Sequence, residues 1–158
     1  MTAAIGPMAK KVFLRTWGCQ MNVLDSEVLQ GQFTEAGYSL AEDIEDADVI
    51  IFNTCSVREH AENKVFSHIG RLKLIKARKP DVTVVVAGCV AERLGGELSA
   101  RYPQVDFVIG TRNLGNCLKL VQGAKRRGVL IGDAEQSYPP RYPGQRRGRR
   151  QAFVSVMR

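Results

Sequence analysis

Residues 48–59 read DVIIFNTCSVRE, and the rest of the fold can be worked out from them. The run from Val49 to Phe52 is apolar at every position, as in a strand covered on both faces. Ser56 and Glu59 then form S-x-x-E, a capping box that opens a helix. Ala61, Val65, Ile69, Leu72 and Ile75 continue that helix at steps of three and four, and Pro80 stops it. The stretch therefore predicts a strand, a cysteine-bearing turn at Cys55 and a helix.

The same plan recurs on both sides. Upstream, Val12 to Thr16 predicts a strand ending at Gly18-Cys19, with Asn22 as a helix cap and Leu24, Val28, Leu29 and Phe33 at helical spacing up to Gly37. The short Tyr38-Ser39-Leu40 and an acidic stretch lead back to the central strand. Downstream, TVVVAG (83–88) is a strand with Cys89 at its end, followed by a shorter helix toward Tyr102-Pro103 that Gly95-Gly96 weakens. VDFVIG (105–110) is a fourth strand, and a helix is expected from Asn113 to about Arg127. Strands alternating with helices at this spacing predict an α/β fold: a doubly wound, mainly parallel sheet flanked by helices. From Gly132 the pattern fails. Pro139, Pro140 and Pro143 lead into GQRRGRR, a basic C-terminal linker over 132–151, and AFVSVMR (152–158) regains strand character as though another domain began.

With 158 residues, 44% hydrophobic and 25% charged, the chain is in the globular class, and fibrous or wholly disordered proteins are excluded. A chain of this length buries roughly 70% of its unfolded surface, so a core needs no disulfides. The N-terminal stretch lacks the apolar core of a secretory signal, and no run approaches the ~20 apolar residues of a membrane span. A cytoplasmic protein without membrane contact is expected, with its four cysteines kept reduced. Residues 1–124 are charge-balanced. The last 34 residues hold nine basic residues against Asp133 and Glu135, so the whole excess of +7 sits there. The Arg141–Arg150 segment suits contact with RNA phosphates or a solvated linker equally well.

Cys19, Cys55 and Cys89 each follow a predicted strand and precede a predicted helix. In a parallel sheet such strand ends share one edge, where ligands bind near the topological switch point. A nearby helix N-terminus favours the thiolate, and Gly18 and Gly88 would let backbone pass close to a bulky ligand. Three soft thiolates suit an iron–sulfur cluster or zinc, with one metal position open. Each cysteine taken alone also fits an ordinary small buried residue. Cys117 lies on the helical face of Leu114, Leu118 and Val121 and reads as core. His60 and His68, eight residues apart, read as packing or exposed residues. Asn22 and Asn53 suit hydrogen bonds to cluster sulfurs, or capping and turn formation. No G-x-G-x-x-G, P-loop or nucleophile triad occurs.

The segments TWGCQMN (16–22), ADVIIFNTCSVR (47–58) with the following E-x-A-E-x-K-V, Gly88-Cys89 and VDFVIGT (105–111) closely resemble the N-terminal domain of MiaB-type radical-SAM tRNA methylthiotransferases. The resemblance covers residues 11–131 and again 152–158. It implies that Cys19, Cys55 and Cys89 bind an auxiliary 4Fe-4S cluster holding the sulfur to be methylated. It also implies a tRNA partner, the isopentenylated adenosine beside the anticodon being converted to its 2-methylthio form. Sister enzymes acting on a ribosomal protein have GCPKN and NTCAF instead, so the motifs here point to the tRNA branch. Trp17 stands where the family usually has Phe or Tyr, a packing change. By this reading residues 1–131 are the methylthiotransferase domain, and 152–158 are the strand leading into the radical-SAM domain. S-adenosylmethionine, the second 4Fe-4S cluster and the C-terminal RNA-binding domain belong to the full-length enzyme. The chain alone, expected as a monomer, would then be inactive. The alternatives are a zinc-stabilised RNA-binding module without catalysis or the related ribosomal-protein methylthiotransferase.

Overall fold

The computed structural model describes residues 9–18, 20–55 and 59–132, with backbone alone for 59–61. The expected linker and the strand at 152–158 lie outside these residues. Among the described residues six strands form one sheet: β1 (Lys11–Thr16), β2 (Ser39–Leu40), β3 (Val49–Thr54), β4 (Thr83–Gly88), β5 (Phe107–Ile109) and β6 (Gly128–Leu130). All neighbours are parallel, in the order β2-β1-β3-β4-β5-β6. The fold is α/β and doubly wound, as expected.

The continuous apolar strands are covered on both faces by alternate residues. Ile50 and Phe52 of β3 face one core with Val84, Val86 and Val108, beneath α2 (Glu59–Arg78), α3 (Cys89–Leu94) and α4 (Gly96–Arg101). Val49 and Ile51 face the other core with Val85, Phe107 and Ile109, beneath α1 (Gln20–Glu35) and α5 (Cys117–Gln122). Helices on opposite faces follow from the strand order: the chain steps from β1 out to β2, then returns past β1 to β3 and onward. The switch point, where a crevice opens, lies outside the carboxyl ends of β1 and β3.

Gly95, at φ +48°, does more than weaken its helix: it divides it into α3 and α4. The helix expected over 113–127 is corrected. A 3-10 segment, Thr111–Asn116, leads into α5, whose end at Gly123 makes room for the unexpected edge strand β6. The spacing of Leu114, Leu118 and Val121 is helical, but the glycines at 115 and 123 shorten the regular part. Among the described residues no helix is long and apolar enough to cross a membrane.

Candidate metal centre at the strand ends

Cys55 directly follows β3 and is buried, at 2% exposure, while Cys89 opens α3 at the end of β4 and is half-buried. The two cysteines follow adjacent strands, paired at Thr54 and Gly88. Cys19 lies outside the described residues, but its neighbour Gly18 is placed. A Cβ added at Gly18 would collide with the Cys55 Cβ and come within 3.0 Å of its Sγ, so the end of β1 runs against Cys55. At Gly88 an added Cβ would strike the Thr54 carbonyl and lie 2.7 Å from Asn53 Oδ1. Both glycines have positive φ, +125° and +98°. Glycine here serves close approach: Gly18 packs against Cys55, and Gly88 against Thr54 and Asn53.

The turns are braced by buried side chains. Asn22 is not a cap: it sits inside α1, and its amide donates to Asn53 Oδ1 (3.2 Å) and to the Thr54 carbonyl (2.8 Å). Asn53 donates back to the Asn22 carbonyl (2.8 Å) and to Ser26 Oγ (2.9 Å), and Ser26 and Thr16 share a 2.6 Å hydrogen bond. Thr54 donates to the Ala87 carbonyl at 2.7 Å. These bonds tie α1, β1, β3 and β4 together at the carboxyl edge. Buried polar groups paired in this way specify one arrangement of these strand ends.

Soft thiol donors and backbone free of side-chain bulk fit a metal–sulfur group. Among the described residues no group of three His, Cys, Asp or Glu side chains gathers as a metal site, and the described thiols there are Cys55 and Cys89. Cys117 belongs to the apolar core instead. It is fully buried in the α1/α5 core with Leu114 and Phe107, and burial pushes its thiol up to about 12. His68 is a packing residue, 5.4 Å from the Trp17 ring, which itself meets Phe52 edge-on at 4.8 Å. The side chain of His60 lies outside the described residues.

A family model described as "Uncharacterized protein family UPF0004" matches residues 11–110, from the start of β1 to just past β5. The chain belongs to this family. Relatives named tRNA-2-methylthio-N(6)-dimethylallyladenosine synthase agree with the resemblance to the N-terminal domain of MiaB-type enzymes. The protein of Hydrogenobaculum sp. is 39% identical over 94% of this chain and 35% of its own length. That of Syntrophobacter fumaroxidans is 46% identical over 78% of this chain and 27% of its own length, and that of a Mycobacterium strain 40% identical over 97% and 30%. The UPF0004 chain thus spans about a third of the curated relatives it matches.

Proposed function

We propose that this chain is the auxiliary-cluster domain of a tRNA-2-methylthio-N6-isopentenyladenosine synthase acting in the cytoplasm. In this reading Cys19, Cys55 and Cys89 supply three thiolates to a 4Fe-4S cluster. When bound, the cluster would offer one iron without a protein ligand, where a sulfur species can be held for methylation and transfer. The chain's own residues do the rest: Gly18 and Gly88 keep the approach free of side chains, and the Asn22–Asn53–Ser26 bonds hold the turns in register. The substrate is the isopentenylated adenosine beside the anticodon of tRNA. S-adenosylmethionine, its own 4Fe-4S cluster and an RNA-binding domain belong to the rest of the enzyme, so the isolated chain modifies no tRNA.

The observation that carries this reading is the packing of Gly18 against Cys55, one strand from the turn at Gly88-Cys89, in a chain of this family. Anaerobic reconstitution of the 158-residue chain with iron and sulfide tests it. Cys19→Ala, Cys55→Ala and Cys89→Ala should each lose stable iron and the brown absorbance near ~400 nm, while Cys117→Ala retains both. Equal iron retention in all four variants overturns the ligand set. A colourless chain that takes up zinc through the same three thiols would be the zinc-stabilised module instead.

A further inference from the structure

Alternation along β1 points Phe13, Arg15 and Trp17 to the α2 face of the sheet, where Phe13 and Trp17 pack on the core beneath α2. The Arg15 guanidinium lies over the Trp17 ring, 5.2 Å from its centre. On α2, Lys64, His68 and Arg71 follow at steps of four and three, so they form one stripe beside the buried Val65, Ile69 and Leu72. His68 of this stripe packs on Trp17, which joins the two elements. Arg15, Lys64 and Arg71 are all exposed. None of them is in any of the four ion pairs among the described residues. The Trp17 backbone N–H donates to the Asn53 carbonyl at 2.9 Å, which puts this cationic face at the same sheet edge as Cys55.

We propose that Arg15, Lys64 and Arg71 bind the phosphodiester backbone of the RNA substrate, with Trp17 as the plate that holds the Arg15 guanidinium in place. The proposal rests on the reading of the substrate as RNA and adds the surface that receives it. Lys64 and Arg71 are about 10 Å apart along the helix, so with Arg15 they face a stretch of strand rather than one phosphate. Three cations outside the ion pairs of the described residues, around a tryptophan and a histidine, match loop RNA, whose phosphates seek cations and whose unstacked bases seek aromatic or guanidinium planes. The cations also act together on the residue between them. After burial, Arg15, Arg71 and Lys64 are what lowers the proton affinity of His68, as expected where positive charge is uncompensated.

The test is binding of an anticodon stem-loop RNA to the 158-residue chain, followed by fluorescence anisotropy across a salt series. Lys64→Ala with Arg71→Ala should weaken binding about tenfold or more at low salt and reduce the log–log salt slope by about 1.4, since each phosphate contact contributes about 0.7 on single strands. Arg15→Ala should weaken it further. Trp17→Phe should retain binding, and Trp17→Leu should behave like Arg15→Ala. Lys119→Ala, on α5 across the sheet, should change nothing. An unchanged affinity and slope in the double variant, or no RNA binding by the unaltered chain, overturns the proposal. So does displacement of the RNA by polyglutamate that is sensitive to the same substitutions, which would make the partner an acidic protein segment. Iron content measured on each variant separates the two readings: variants that load the cluster yet bind RNA normally refute this face alone.

Discussion

Cys55 and Cys117 are both buried, at 2% and 0% exposure, so accessibility does not separate the thiol of the strand-end site from the thiol of the core. Their surroundings do. Cys117 lies among Leu114, Phe107 and Ile109, in the apolar layer under α1 and α5, where burial alone sets its chemistry. Cys55 lies at the end of β3 against Gly18, just past β1, beside a network of Asn22, Ser26, Asn53 and Thr54. A structural cysteine is thus packed by side chains from every direction. A cysteine of a candidate site is approached by bare backbone, and the turn that carries it is fixed by hydrogen bonds.

The largest expected effect breaks the bare-backbone half of this contrast. Gly88 has φ +98° and ψ −158°, a region essentially restricted to glycine, and a Cβ there would strike the Thr54 carbonyl. Gly88→Ala should cost about 3 kcal/mol or more, since conformational strain of about 1–3 kcal/mol adds to a clash with backbone. Gly37, at φ +93° with nothing within 4 Å of an added Cβ, is the matched control: Gly37→Ala should cost about 1 kcal/mol. Urea denaturation of the two variants measures the difference. Equal losses would mean that backbone conformation alone, and not close approach at the site, demands glycine at 88.

A smaller effect is expected in the core. Cys117→Ser buries a hydroxyl in an apolar layer and should destabilise the chain by about 1–3 kcal/mol. The native thiol, pushed up to about 12, is almost wholly protonated at neutral pH. Iodoacetamide at pH 8 should therefore alkylate half-buried Cys89 in the metal-free chain and leave Cys117 unmodified until the chain unfolds. Alkylation of both at similar rates would remove the distinction between the two regions.

How far the residues alone reach differs between the two regions. Of the four inner strands, β3, β4 and β5 are legible as apolar runs and β1 from Val12 to Leu14, ahead of Arg15; Cys55 and Cys89 stand where expected, at the ends of β3 and β4. The edge strands β2 and β6 are not: two or three residues that pair on one side leave no periodicity to read. Asn22 looks like a cap because its type and position suit one, yet its partners are Asn53 and Thr54, 31 and 32 residues away, and no local pattern encodes such a bond. The same holds for Trp17 and His68. Their meeting depends on which face of β1 the helix α2 covers, which only the assembled sheet decides.

The smallest expected effect sharpens the contrast at its charged margin. His68 packs on Trp17, and its proton affinity is held below the ordinary value of 6.5, first by burial and then by Arg15, Arg71 and Lys64. Well above pH 6.5 it is neutral both folded and unfolded and adds no pH dependence. As the pH falls through 6.5 the unfolded chain takes up a proton before the folded one does, so stability declines. The decline ends once the pH is below the folded value, where both states are protonated. His68→Gln should remove this part of the acid sensitivity, and Arg15→Gln or Arg71→Gln should shrink it by relieving the charge that opposes protonation. Urea midpoints at pH 7.5 and 5.5 measure it: the unaltered chain should lose more between them than His68→Gln does. An equal loss would show that the cations around Trp17 do not act on His68, and the margin of the site would then be as electrically quiet as the core around Cys117.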